Sequence, residues 1–114
     1  LSIKKDIDDS LLLKKIPAML LQPMIENSIK HGYSYDHTNL HILIKIREEK
    51  GCLIIKVEND GEPLKLTHKE LLEKGVGLRN IDDRLRNLYK DKYIFEIRNR
   101  ADGYGVETFV KIPA

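Results

Sequence analysis

Four polar side chains fall on one side of a predicted helix that runs from Pro17 to His31. With about 100° of rotation per residue, Glu26, Lys30, Asn27 and His31 lie in that order within roughly 140° of the helix circumference. The apolar residues lie on the other side: Leu21, Met24, Ile25 and Ile29. The polar side is either an ordinary solvated face or a site for phosphate and metal. In such a site an amide oxygen binds a hard cation, and the Lys and His offset phosphate charge.

A second candidate is the segment Gly75-Val76-Gly77-Leu78, which opens another predicted helix. Glycines let backbone N–H groups come close to a phosphate at the positive end of the helix dipole. The segment also has a simpler interpretation, since Gly75 could serve only to end a preceding short helix.

A third candidate, Val57-Glu58-Asn59-Asp60-Gly61, lies at the end of a predicted strand. A polar side chain there can hydrogen-bond the edge of a ligand ring, and the absent Cβ of Gly61 leaves room for the flat ring. Asn-Asp-Gly is also a common turn sequence, so an ordinary turn is the alternative.

The elements that must position these segments follow from apolar periodicity. Alternating residues predict five strands, at about residues 2–7, 40–46, 52–57, 93–98 and 106–112. Helical spacing and capping residues predict three helices, at about residues 17–31, 68–74 and 78–90. The apolar stripe of the last helix is expected to comprise Leu78, Ile81, Leu85 and Leu88. A hairpin turn is predicted over residues 48–51. This order predicts an α+β fold, a two-layer sandwich with helices on one face of a mixed, mostly antiparallel sheet.

Composition narrows the possible function classes. The 114 residues suffice for a single domain, and the 41% hydrophobic and 33% charged shares fit neither a disordered nor a membrane-embedded chain. No apolar run approaches the roughly 20 residues of a transmembrane helix. The 20 basic and 18 acidic residues nearly balance, and the resulting net charge of +2 does not indicate nucleic-acid binding. The single cysteine, Cys52, suits a reducing compartment. A chain that starts at Leu1 with no signal peptide is expected to be a piece of a longer protein.

Four segments together resemble the sequence boxes of one ATPase family. Residues 21–32, LQPMIENSIKHG, look like the N box of GHKL ATPases. The Gln-Pro and Glu-Asn pairs in this box are most similar to those of LytS-like bacterial sensor histidine kinases. Three later segments resemble, in order, the G1 box, the G2 box and the closing glycine-rich hairpin: residues 57–61, 75–85 and 103–113. The resemblance covers about residues 11–114 and implies the Bergerat ATP-binding fold, which holds ATP and Mg²⁺ beneath a lid.

The resemblance assigns roles at the phosphate end by position. Asn27 would coordinate Mg²⁺, and Lys30 and His31 would face the phosphates of ATP. Glu26 directly precedes the metal ligand, and Glu26 and Asn27 are the residues expected to serve catalysis. Four residues at the start of the later helix would cradle the phosphates: Gly75, Val76, Gly77 and Leu78.

The predicted adenine pocket departs from the family pattern. The adenine-reading Asp of the family stands before an Asn-Gly pair, whereas Asn59 holds that position here and Asp60 follows it. An amide oxygen can also accept a hydrogen bond from the adenine amino group, so both side chains are candidates. Gly61 would pass close to the adenine. Thr108 could replace the Thr that commonly follows the last glycine, where this chain has Val106.

The implied function belongs to two-component signalling. The chain would be the ATP-binding catalytic domain of a sensor histidine kinase, which transfers the γ-phosphoryl group to a histidine on a separate dimerisation domain of the same protein. Its other protein partner would be a response regulator. The parent protein would be a homodimer anchored in the bacterial inner membrane, with this domain in the cytoplasm. The alternatives are a nucleotide-sensing interaction module without chemistry, and another GHKL ATPase or anti-sigma-factor kinase.

Overall fold

Strands with alternating apolar residues form a five-stranded sheet in the computed structural model, which describes residues 2–7, 18–32, 40–61, 76–103 and 105–113. In chain order the strands are β1 (Ser2–Ile7), β2 (His41–Glu49), β3 (Cys52–Asn59), β4 (Ile94–Asn99) and β5 (Val106–Pro113). The helices among these residues are α1 (Ala18–Gly32) and α2 (Val76–Tyr89). The spatial order of the strands is β1-β2-β3-β5-β4.

Strand pairing is mixed and mostly antiparallel, as predicted. β1 lies parallel to β2 at one edge of the sheet, whereas the other three pairs are antiparallel. Parallel neighbours need a long crossover connection, and the chain between β1 and β2 contains α1. Because α1 contacts β3 and β5, this crossover carries the helix over the middle of the sheet.

Both helices contribute to one hydrophobic core on one face of the sheet. Ile42, Ile44 and Ile46 of β2 are buried at alternate positions, as expected for a strand with one covered face. The remaining strands add eight buried residues: Leu53, Ile55, Val57, Phe95, Ile97, Val106, Val110 and Ile112. The helices add five: Leu20, Met24, Leu78, Ile81 and Leu85. The two-layer arrangement predicted from the sequence is therefore confirmed for the described residues.

The opposite face of the sheet carries charged side chains that pair across strands. Lys45 lies 3.6 Å from Glu58, and the guanidinium of Arg98 donates to Glu107 at 2.7 Å. Arg98 also lies over the ring of Phe109, 4.8 Å from its centroid. Such partly exposed pairs contribute little stability, typically below about 1 kcal/mol each. This face of the sheet is therefore polar, whereas the opposite face is apolar and packs against the helices.

The hairpin between β2 and β3 is tighter than the sequence predicted. β2 continues to Glu49, and the turn consists of Lys50 and Gly51, with φ angles of 50° and 77°. Two consecutive residues with positive φ match the right-handed twist of the flanking strands. The glutamates of the predicted turn, Glu48 and Glu49, therefore belong to the strand.

Leu88 does not belong to the core stripe of α2, contrary to the sequence prediction. Its side chain is 58% exposed, whereas Tyr89 packs against the core in the same turn. On a helical wheel Tyr89 lies about 40° from Leu85 on one side, and Leu88 lies about 60° away on the other. The helix therefore turns Tyr89 to the sheet. The predicted short helix at residues 68–74 and Tyr104 lie outside the described residues.

Candidate nucleotide site

Asn59 and Ser28 form a buried polar contact between the last residue of β3 and the core side of α1. Asn59 is 2% exposed and Ser28 is 1% exposed. The Nδ2 of Asn59 donates a hydrogen bond to the Oγ of Ser28 at 2.8 Å. Burying a carboxamide in an apolar core costs free energy unless its polar atoms are paired. The hydrogen bond satisfies one of the two N–H groups of this carboxamide and connects β3 to α1.

A second hydrogen bond fixes the direction in which the Asn59 carboxamide points. The backbone N–H of Gly61 donates to the Oδ1 of Asn59 at 2.9 Å. Since a backbone N–H can only donate, the atom beside it must be oxygen, and Nδ2 must face Ser28. A carboxamide has two hydrogens and two lone pairs, so one of each has no partner among the described residues. This unused capacity suits the carboxamide to hydrogen-bond a ligand.

Gly105, immediately before β5, lies against the backbone at the end of β3. Its φ is +113°, and a Cβ at this position would lie 1.8 Å from the carbonyl oxygen of Asn59. The same Cβ would lie 2.9 Å from the Cα of Asp60. Only glycine fits here, because any side chain would overlap backbone atoms that cannot move independently of β3. The closing hairpin is therefore packed directly against the backbone of Asn59.

Thr108 is a third buried polar residue on the same face, and it is 1% exposed. In the β3–β5 ladder, Asn59 pairs with Val106 and Thr108 pairs with Val57. Thr108 is therefore a diagonal neighbour of Asn59, on the strand face that also holds Val106. No hydrogen bond joins its hydroxyl to another side chain in the described part of the chain.

Asp60 is held differently from Asn59. Its Oδ1 accepts a hydrogen bond from the backbone N–H of His41 at 2.8 Å, and its Oδ2 lies 2.8 Å from the Nδ1 of His41. The Asp60 side chain is 33% exposed and that of His41 is 58% exposed. Both carboxylate oxygens are thus engaged where β2 begins. Of the two candidate base readers, only Asn59 is buried in the core.

The predicted polar side of α1 is outside the core, although not all of it is exposed. Glu26 and Lys30 are exposed and Asn27 is half-buried. The Nε2 of Gln22 donates to the Oε1 of Glu26 at 3.1 Å. No hydrogen bond connects the Asn27 carboxamide to another side chain among the described residues. His31 lies in the last turn of α1, and its side chain is outside the described residues.

Ser28 is a site residue that the sequence reasoning missed. The fully buried side of α1 is formed by Leu20, Met24 and Ser28, which are spaced four residues apart. Ile25 and Ile29, predicted on the apolar side, pack against the core but are only partly buried. The four-residue spacing from Met24 was the available signal that a serine faces the sheet.

Only part of the predicted phosphate cradle, residues 75–78 at the start of α2, lies within the described residues. The helix begins at Val76, and Gly75 lies outside the described residues. Leu78 is buried and anchors the first turn in the core, while the first N–H groups of a helix have no partner within it. The first turn contains no acidic residue, so no carboxylate of its own lies at the positive end of the helix dipole.

Two features are absent from the described residues. No group of three or more His, Cys, Asp or Glu side chains converges on a common point there. Within the same part of the chain, no helix has the length and apolar character needed to cross a membrane.

Comparison of the sequence with known proteins finds sensor histidine kinases, although no model of a protein family matches it. The chain is 31% identical to the sensor histidine kinase BtsS of Escherichia coli K12 over 105 residues, which cover 91% of this chain and 18% of BtsS. It is 30% identical to the sensor histidine kinase YesM of Bacillus subtilis over 112 residues, or 95% of this chain and 19% of YesM. It is 27% identical to the sensor protein LytS of Enterococcus faecalis over 117 residues, which cover 95% of this chain and 20% of LytS. The chain thus spans about a fifth of the length of the curated relatives it matches.

Comparison of the fold finds histidine kinase catalytic domains. The catalytic domain of histidine kinase ThkA superposes with a TM-score of 0.72 at 20% identity, over 98% of this chain and 78% of that one. The histidine kinase domain of a blue-light activated histidine kinase from Erythrobacter litoralis EL346 superposes with a TM-score of 0.73 at 16% identity. The superposition covers 98% of this chain and 51% of that one. By its sequence relatives and its fold, the chain belongs to the GHKL domains of LytS-like sensor histidine kinases.

Proposed function

We propose that this domain binds ATP with Mg²⁺ and presents the γ-phosphoryl group to a histidine on a separate dimerisation domain of the same protein. The observation that carries the proposal is the Asn59 carboxamide, which is buried, fixed in direction and only half used by its protein partners. A buried polar group of this kind is expected at a site that recognises the edge of a ring. The sensor histidine kinase relatives supply the reaction class.

Asn59, and not Asp60, is the residue that would read the purine. The free lone pair of its Oδ1 would accept a hydrogen bond from the 6-amino group of adenine. Gly61 is buried beside it, and without a side chain it would let the ring approach the backbone. The hydroxyl of Thr108 could complete the polar contacts of the base on the same face.

The phosphate end of the site would be formed by α1 and α2, which contact each other. The half-buried Asn27 would hold Mg²⁺ through its amide oxygen, and the ion would neutralise charge on the phosphate oxygens. Glu26 would act beside this ligand. Lys30 and His31 would bind phosphate charge, and so would the backbone N–H groups of residues 75–78.

Phosphoryl transfer depends mainly on positioning and charge neutralisation. An acceptor histidine nitrogen must approach to about 3 Å from the γ-phosphorus, in line with the leaving oxygen. This chain would hold the nucleotide, and the partner domain would bring the nucleophile. A response regulator would then receive the phosphoryl group. The parent protein would be a homodimer anchored in the inner membrane of a bacterium, with this domain in the cytoplasm.

Calorimetric titration with Mg-ATP tests the binding proposal on the 114-residue chain. We expect saturable binding that Asn59→Ala weakens roughly tenfold or more, because the variant removes a buried hydrogen-bonding group. The matched control is Asn87→Ala on the exposed side of α2, which should bind as the wild type does. The absence of saturable binding by the wild type would contradict the proposal, and so would equal affinities in all three proteins.

A further inference from the structure

We infer that the purine site at Asn59 accepts 6-oxopurine nucleotides as well as 6-aminopurine nucleotides. This inference rests on the proposed function, since it concerns the base bound at the same site. Adenine presents a donor at C6, whereas hypoxanthine and guanine present an acceptor there. The base that a site selects therefore depends on whether the facing protein group can accept, donate or do both.

The Asn59 carboxamide can do both. The N–H of Gly61 occupies one lone pair of Oδ1, and Ser28 occupies one hydrogen of Nδ2. A second lone pair remains for a 6-amino group, and a second hydrogen remains for a 6-oxo group. A carboxylate at this position would offer only acceptors and would repel a 6-oxo group. The carboxamide has no such bias.

The other polar groups nearby do not restore selectivity for a 6-amino group. Three polar side chains are buried among the described residues: Ser28, Asn59 and Thr108. Each of them can donate and accept, because hydroxyl groups rotate and the carboxamide has both functions. The carboxylate that follows directly in the chain belongs to Asp60, which is one-third exposed and contacts His41 where β2 begins. No side chain that only accepts is buried beside the carboxamide among the described residues.

A comparison of Mg-ATP with Mg-ITP tests the inference directly, because the two nucleotides differ only in the C6 substituent and the proton on N1. For the wild-type chain we expect the two dissociation constants to agree within about tenfold, since either base finds a matching group. For Asn59→Asp we expect the preference for ATP to rise by a further tenfold or more, chiefly through loss of ITP binding. The Ser28 hydroxyl can turn to donate to the introduced carboxylate, so the protein contact is kept with reversed polarity.

Asp60→Asn is the matched control, since it makes the reverse change one residue away. Its amide oxygen can still accept from the His41 N–H, and the ratio of ATP to ITP affinity should remain that of the wild type. If Asn59→Asp does not fold by circular dichroism, Asn59→Ala replaces it. That variant should weaken both nucleotides by the same factor, within about threefold, because the wild-type carboxamide serves both bases.

The outcomes separate this inference from the proposed function. Binding of neither nucleotide by the wild type overturns the proposed function and this inference with it. Binding of Mg-ATP with ITP bound more than about tenfold more weakly overturns only the inference. A ratio that responds to Asp60→Asn and not to Asn59→Asp also overturns it, since the base would then be read by the neighbouring residue.

Discussion

The carbonyl oxygen of Asn59 and the Cα of Gly105 lie so close that a Cβ at residue 105 would fall 1.8 Å from that oxygen. This contact joins the closing hairpin to the residue that we assign to base recognition. Asn59 also hydrogen-bonds Ser28 and the N–H of Gly61, so two distant segments, α1 and the closing hairpin, contact it.

Replacement of Gly105 should be far more damaging than replacement of a glycine in an open turn. Gly105→Ala combines a φ of +113° with an overlap against backbone, and we expect it to lower the free energy of unfolding by more than about 2 kcal/mol. Gly103→Ala is the control, because its φ is +78° but nothing lies within 4 Å of the added Cβ. That variant should cost about 1 kcal/mol, from backbone conformation alone. Urea unfolding monitored by circular dichroism measures both, and equal losses would contradict the packing argument.

Ser28 should act on nucleotide binding through Asn59. Ser28→Ala leaves a buried Nδ2 hydrogen without its partner and should lower the free energy of unfolding by about 1–3 kcal/mol. Ser2→Ala, at an exposed position of β1, should change it by less than about 0.5 kcal/mol. In a double-mutant cycle with Asn59→Ala, the effects of Ser28→Ala on stability and on Mg-ATP affinity should be strongly non-additive. Additive effects would show that Ser28 does not position the carboxamide.

The sequence predicts those parts of this arrangement that follow from local patterns. Alternation in Ile42, Ile44 and Ile46 predicts the strand and its buried face, because side chains of a strand alternate strictly. The choice between Asn59 and Asp60 could not be made, since the predicted strand ended at Val57. In the structure β3 continues to Asn59, and this extension places Asn59 on the core face.

Contacts between segments distant in the chain were beyond the sequence patterns. The bond between Ser28 and Asn59 spans 31 residues, and the approach of Gly105 to Asn59 depends on the pairing of β3 with β5. Periodicity within one element contains no information about such partners. The roles of Glu26, Lys30 and His31 at the phosphates stay predictions.

Asn27 should act on the metal-bound nucleotide specifically. Removal of a hard-cation ligand should weaken the binding of Mg-ATP by roughly tenfold or more. The binding of ATP in the presence of a chelator should change little. Calorimetry on Asn27→Ala with and without Mg²⁺ measures the difference. Asn87→Ala, on the exposed side of α2, provides the control. An unchanged affinity of Asn27→Ala for Mg-ATP would remove this residue from the metal site.

Tyr93 should contribute to the stability of the domain at neutral pH, and this contribution should be lost in strong alkali. Burial of the phenol and its hydrogen bond to Asp82, at 2.8 Å, raise the pKa of Tyr93 above the ordinary value of 10.0. Since the folded-state pKa lies above the unfolded one, the contribution is complete below about pH 10 and is lost as the pH rises through the folded-state value. The free energy of unfolding of the wild type should therefore fall more steeply above pH 10 than that of Tyr93→Phe. Parallel curves for the two proteins would contradict this assignment.

The most direct test of the account is to follow label from γ-labelled ATP in the 114-residue chain, alone and together with the dimerisation domain of its parent protein. We expect the chain alone to bind Mg-ATP without becoming labelled. We expect alkali-stable phosphohistidine on the dimerisation domain when both are present, and loss of this label in Asn59→Ala at low nucleotide concentration. Alkali-stable label on the isolated chain would contradict the account. So would an unlabelled dimerisation domain beside a chain that demonstrably holds Mg-ATP.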